Sequence, residues 1–128
     1  MGKIIKEMKN KRKIRKQFRD DVFERDGYKC MHCGVDYSQI DSPELDLDAH
    51  HITDRSEMPN GGYVKENGIS LCKENFDEEG LLIDSCHMLA EKFHISDGKE
   101  WEKYMHPDDL YELIGSSKEL AIEKSKIL

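Results

Sequence analysis

The chain has 128 residues, enough for one domain, with 37% hydrophobic and 37% charged residues and a net charge of −7. So modest an apolar content excludes a large core and leaves a deficit that a metal clamp would offset. No apolar run reaches the roughly 18 residues that span a bilayer, and Ile4 and Ile5 stand among lysines rather than in the apolar centre of a signal peptide, so the expectation is a cytoplasmic protein without membrane contact.

The charge is divided unevenly. Residues 1–20 hold nine Lys or Arg against Glu7 and Asp20, a balance of +7, which leaves −14 for the remainder. A basic arm on an acidic body suits phosphate binding, because cationic side chains gain affinity by releasing condensed counterions from nucleic acid; the plainer alternative is a solvated helix that binds nothing. Within the arm, Ile14, Phe18 and Val22 recur at four-residue spacing beside Phe23, which predicts an amphipathic helix from about Ile4 to Glu24. Asp26-Gly27 ends it, and Tyr28 to Gly34 forms a knuckle around Cys30 and Cys33.

Alternation in Leu45, Leu47 and Ala49 predicts a strand reaching His50 and His51, and Ile69 with Leu71 a second strand. Between them lies a polar loop with Pro59-Asn60-Gly61-Gly62, and Ser85 to Phe93, ending near His94, reads as a short helix. Further on, Trp101–Ile114 and Lys118–Leu128 read as two helical segments around Gly115-Ser116-Ser117, with Leu110, Leu113 and Ile114 as an apolar stripe. The default reading of that extension is packing against the preceding unit; dimerisation or docking on a partner is the alternative.

Cys30, Cys33, Cys72 and Cys86 are the only cysteines, and four thiolates are the donors that a tetrahedral structural Zn²⁺ takes. The 38 residues between Cys33 and Cys72 are too many for a simple zinc finger but enough for strand, loop and strand. In a reducing compartment metal binding outranks disulfides, no βαβ pattern supports a thioredoxin-like Cys-x-x-Cys, and an iron-sulfur cluster, which suits four thiolates equally, would announce itself by colour. The histidines remain free for other work.

Taken together, Arg25-Asp-Gly-Tyr-Lys-Cys-Met-His-Cys-Gly34, Asp48-Ala-His-His-Ile52, Asn67-Gly-Ile-Ser-Leu-Cys72 and Cys86-His87 resemble the HNH endonucleases of the His-Me finger superfamily over roughly residues 18–94. The resemblance implies an α+β protein with a ββα-metal core and a structural zinc knuckle: a basic N-terminal helix (1–24), the nuclease core (25–95) and a C-terminal helical extension (96–128). One departure stands out. Relatives with a cysteine frame place Cys-x-x-Cys-His after the second strand, whereas thirteen residues separate Cys72 from Cys86 here, so Lys73–Ser85 reads as containing an insertion with Asp77-Glu78-Glu79 on its surface.

By that resemblance His51 is the general base, and His50 and His87 are ligands of a catalytic cation. Neighbours on a strand point to opposite faces, so the two adjacent histidines should not share one role, although spacing does not say which takes which. Asn67 matches the family's central asparagine, suited to hold the loop and the base in place; Asn67-Gly68 is also an ordinary hairpin dipeptide. Where many relatives carry a second helix histidine this chain has Glu91, either a third ligand suited to Mg²⁺ or Mn²⁺ or a solvated helix glutamate. Lys9, Lys11, Arg12, Lys13, Arg15, Lys16 and Arg19 are the candidate DNA-phosphate contacts, while His32, His94 and His106 are not expected to carry chemistry.

The expected function is a metal-dependent DNA endonuclease that leaves 5′-phosphate and 3′-hydroxyl ends. It would use structural Zn²⁺ and a catalytic Mg²⁺ or Mn²⁺, with Ni²⁺ or Zn²⁺ as substitutes. By analogy with small phage and mobile-element nicking enzymes, it would work as a monomer or weak dimer, alone or with larger phage or restriction machinery. The alternative is a noncatalytic zinc module that binds nucleic acid or protein.

Overall fold

The computed structural model describes residues 2–73, 75–83 and 85–128, with side chains throughout except at 2–9, 75–76 and 82–83; the side chain of Lys9 therefore lies outside the described residues. Helix α1 runs Gly2–Asp26. It stops because Gly27 takes a left-handed φ of +68°, which lets the Tyr28 N–H donate to Phe23 O at 2.9 Å and the Gly27 N–H to Glu24 O at 3.2 Å. Phe23 and Tyr28 close that turn with rings 6.1 Å apart, the hydrophobic contact that accompanies such caps.

The knuckle follows. Cys30 N–H donates to Val35 O and Gly34 N–H to Cys30 O, both at 2.9 Å, and Gly34 supplies the φ of +82° the reversal requires. Met31 N–H donates to Ser70 O at 2.9 Å, fastening the knuckle to the second strand.

Strands β1 (Leu47–His51) and β2 (Gly68–Cys72) pair antiparallel, with Leu47 opposite Cys72 and His50 opposite Ile69. Leu45, expected in the strand, instead ends a short 3₁₀ turn begun by Pro43 and is 70% exposed. The connection between β1 and β2 is not one open loop: it contains three short 3₁₀ turns, Arg55–Glu57, Pro59–Gly62 and Lys65–Asn67. β2 is buried on both faces from Gly68 to Leu71, because α1 covers one side of it. A Cβ on Gly68 would lie 2.5 Å from Val22 Cγ2 and 2.7 Å from Phe18 Cζ, so the close approach of helix and strand requires glycine there. Arg25 and Asp26 add a polar joint: Arg25 Nη2 donates to Gly68 O at 2.7 Å and Asp26 Oδ2 accepts from the Ser70 N–H at 2.9 Å.

The stretch after Cys72 makes a second, two-stranded hairpin, β3 (Asn75–Phe76) with β4 (Leu82–Ile83). Its turn exposes Asp77, Glu78 and Glu79, as expected for an insertion. Helix α2 (Cys86–Ile95) starts at Ser85, whose Oγ accepts the Met88 N–H at 3.2 Å. The expected helix from Trp101 does not form. Helix α3 spans only Pro107–Leu113, because His106 caps it, its Nδ1 accepting the Asp108 N–H at 3.1 Å, and Pro107 occupies the first helical position. In the predicted apolar stripe Leu110 is buried but Leu113 is 46% exposed. Helix α4 spans Lys118–Lys126.

One apolar cluster joins Phe18, Val22 and Phe23 of α1 to Leu47, Ile69 and Leu71 of the sheet, Ala90 of α2, Leu110 and Tyr111 of α3 and Ala121 of α4. The C-terminal helices therefore belong to the same core. Among the described residues, no helix is long and apolar enough to cross a membrane. The architecture is α+β.

Candidate functional site

The knuckle, the end of β2 and the start of α2 bring all four cysteines together, with their sulfurs within 4.8 Å of one another. Cys33 Sγ and Cys72 Sγ are 3.8 Å apart. A tetrahedral ion with Zn–S bonds of about 2.3 Å sets its sulfurs about 3.8 Å apart, so the quartet fits a metal such as zinc. The thirteen-residue spacing does not pull Cys72 and Cys86 apart, because the β3–β4 hairpin leaves the sheet and returns. Two backbone N–H groups point at sulfurs, Cys33 N to Cys30 Sγ at 3.5 Å and Cys86 N to Cys72 Sγ at 3.4 Å. Burial pushes the Cys30 thiol up, but backbone N–H groups outweigh that and hold it below the usual range. Burial and neighbouring sulfurs drive Cys86 well above it, and Cys33 is raised too. A bound cation would balance four thiolates in so small a volume.

A second cluster lies on the same elements. The ligand atoms of His50, His87 and Glu91 fall within 4.8 Å of one another. Glu91 Oε1 is 3.1 Å from His50 Nδ1 and 3.2 Å from His87 Nε2. Glu91 sits one helical turn after His87, so both project from one face of α2 toward β1. Distances of this size suit adjacent ligands around a cation with bonds of about 2.1 Å, and equally suit charge-assisted hydrogen bonds. His87 Nδ1 lies 3.0 Å from Asp48 Oδ2, so both its nitrogens face carboxylates.

The electrostatics follow. Burial lowers His50, although Glu91 pulls against it. Burial also opposes charge on His87, but its bonds to Asp48 and Glu91 prevail and raise it to about 9. Hydrogen bonds from His50 and His87 hold Glu91 far below the carboxylate range.

His51 points the other way along β1, as strand geometry demands. Its ring stacks on Phe18 of α1 at 4.4 Å and meets the edge of Tyr63 at 4.8 Å. Burial, then the nearby Arg55 and His50, lower it to about 4, so the imidazole is neutral at physiological pH. Its Nε2 is enclosed without a hydrogen-bond partner, which agrees with neutrality because an imidazolium needs an acceptor at both nitrogens.

Asn67 is fully buried. Its Oδ1 accepts from the Thr53 N–H at 3.0 Å and the Tyr111 O–H at 2.7 Å, while Nδ2 donates to Thr53 O at 3.0 Å and Gly62 O at 3.2 Å. It therefore pins the loop that follows His51 without touching that ring. His94, at the end of α2, reaches back to the His51 backbone, with Nε2 3.1 Å from the carbonyl oxygen. His32 lies away from this site and lines a separate pocket together with Tyr104 and Glu112.

A cleft of about 600 Å³ opens over both histidines of β1 and over His87 and Glu91. Its other wall is α1: Arg12, Arg15, Lys16 and Arg19, spaced as one helical face, line it. Lys11 and Lys13 are exposed but do not line it.

Sequence reasoning missed Asp48, Phe18, Arg55 and Tyr63 at the site. Asp48 could have been found, since residues two apart on a strand share a face with His50; Arg55 and Tyr63 reach the cleft only through the course of the turns between the strands. The chain matches no protein-family model, no characterised protein and no solved structure at a significant level.

Proposed function

We propose that the chain is a metal-dependent DNA endonuclease of the HNH kind, with β1, β2 and α2 as its ββα-metal unit and the four cysteines holding a structural zinc. The observation that carries this reading is the cleft: a neutral His51, a His50–His87–Glu91 cluster and the basic face of α1 look into the same space. A pure binding module has no use for that juxtaposition.

His50, His87 and Glu91 would hold the catalytic cation, and the carboxylate favours Mg²⁺ or Mn²⁺, with Ni²⁺ or Zn²⁺ as substitutes. Bound there, a divalent cation supplies charge neutralisation at the phosphate and the departing oxygen. His51 takes the proton of the attacking water at Nδ1, since Nε2 is enclosed, as the water oxygen adds to phosphorus. The bond from phosphorus to the 3′ oxygen breaks, and that oxygen leaves with the electron pair and is protonated from solvent, giving 5′-phosphate and 3′-hydroxyl ends. Phe18 and Tyr63 fix the plane of the base ring. Arg12, Lys16 and Arg19 hold flanking phosphates without reading sequence.

Supercoiled plasmid incubated with Mg²⁺, Mn²⁺, Ni²⁺ or EDTA tests the reading. The wild-type protein should relax or linearise the plasmid with at least one cation and not in EDTA, and His51→Ala should lower the rate by about 10³-fold with its fold retained. Plasmid that stays intact under every cation while shifting on a gel would instead make the chain a zinc-bearing adaptor.

A further inference from the structure

In the cleft one guanidinium is hydrogen-bonded to a phenol oxygen, and a second lines the same space from α1. Arg55, on the first 3₁₀ turn after β1, donates from Nη1 to the Tyr63 hydroxyl at 3.1 Å, and Arg15 of α1 lines the same cleft from the opposite wall. Both arginines hold the Tyr63 hydroxyl below the usual phenol range against the effect of its burial. Among the described residues, neither guanidinium forms an ion pair with a carboxylate. Nearby cations differ in this: Lys16 lies 2.6 Å and Arg19 3.9 Å from Asp20. The nearest acid in sequence, Asp54, spends Oδ2 on the N–H and hydroxyl of Ser56.

Two like charges that face one cleft without a carboxylate partner repel each other, and the arrangement is relieved when an anion enters between them. A guanidinium's planar fork matches the paired nonbridging oxygens of a phosphodiester. The place is also informative: the Tyr63 ring that carries the shared hydroxyl lies edge-on to His51 at 4.8 Å. An anion held there is within reach of the base rather than at the distal end of the helix.

Resting on the nuclease reading, we infer that Arg55 is a catalytic residue that grips the nonbridging oxygens of the phosphodiester under attack, that Arg15 closes on the same phosphate from α1, and that Tyr63 is the positioning residue that holds Arg55. The charge that builds on those oxygens as water adds would be met by donors already in place. Arg12 and Arg19, which line the same cleft, then serve the flanking phosphates.

The test measures kcat and KM separately on an oligonucleotide duplex with Mn²⁺, for the full chain loaded with zinc. Arg55→Ala should lower kcat by about 100-fold with KM changed by less than about threefold. Arg55→Lys should recover part of the rate, and Tyr63→Phe should lower kcat less than Arg55→Ala does. The double variant Arg12→Ala, Arg19→Ala should instead raise KM with kcat largely kept. Mn²⁺ affinity and the melting temperature of Arg55→Ala should match wild type, which separates a phosphate contact from a structural role. An Arg55→Ala enzyme whose defect lies in KM alone, or that shows no defect, overturns the assignment while the nuclease reading stands. A wild-type protein inert toward DNA with every cation removes both.

Discussion

The sulfur cluster and the His50, His87 and Glu91 cluster hang on one helix: Cys86 and His87, the first two residues of α2, are donors to different sets. The sulfur set draws on the knuckle, the end of β2 and α2, is soft and includes two buried thiols, Cys30 and Cys86. The nitrogen and oxygen set opens on a cleft and includes a carboxylate partly exposed to solvent. A closed quartet of one ligand type suits support, and an open mixed set suits exchange of ligands. Because Cys86 ties the start of α2 to the strand pair, the geometry at His87 depends on the sulfurs. None of the four sulfurs is held by His50, His87 or Glu91, and the resulting asymmetry can be tested.

The largest effect should come from the sulfurs. Structural zinc contributes an apparent 10 kcal/mol or so, comparable with the whole stability of a small domain. Metal analysis should find about one zinc per wild-type chain, and Cys30→Ser should lose it and fall by more than about 10 °C in melting temperature. His50→Ala should keep both the zinc and a cooperative transition. Equal collapse of the two variants would break the contrast between support and exchange.

Next comes Asp48, which fixes the His87 ring by accepting from Nδ1 and so leaves Nε2 facing Glu91. Asp48→Ala should weaken Mn²⁺ binding by about 10- to 100-fold in titration calorimetry, with zinc content unchanged. Unaltered affinity would show that α2 alone orients the ring.

The smallest effect sharpens the electrostatics. With His87 raised to about 9, the ring is protonated at pH 7 in the cation-free protein and must release that proton to become a ligand. Calorimetry in buffers of different ionisation enthalpy should find about one proton released per Mn²⁺ bound at pH 7. Since the folded pKa exceeds the unfolded value of about 6.5, His87 stabilises the cation-free fold fully below that pH, and the contribution disappears as pH rises through about 9. The melting temperature of zinc-loaded, cation-free protein should decline across that window, and saturating Mn²⁺ should flatten the decline. No proton release would mean that the ring is neutral before the cation arrives.

Local signals carried much of the fold into the sequence. The four-residue apolar spacing of Ile14, Phe18 and Val22 marked α1, Ser85 marked the cap of α2, and the unique cysteine set marked the sulfur cluster despite its interrupted spacing. What stayed hidden depended on chain paths. Leu45 looked like a strand residue but Pro43 turns the backbone there, and Trp101 looked helical although the helix waits for Pro107. At the site, the opposed aims of His50 and His51 were legible from strand alternation. The pairing of Arg55 with Tyr63 was not, because eight residues of successive tight turns bring them together. Nothing local foretold Tyr111 either.

That tyrosine has a practical consequence. Its hydroxyl, donated from α3 to the Asn67 amide and 2.6 Å from Thr53 Oγ1, is the far end of the brace behind the loop that follows His51. A fragment trimmed to end with α2 would retain every candidate ligand and His51, yet would remove the donor that keeps an interior carboxamide satisfied. The segment after α2 is thus a structural tenant of the site, and shortening the gene to its apparent minimum would loosen the hinge between the two histidines and the rest of the loop.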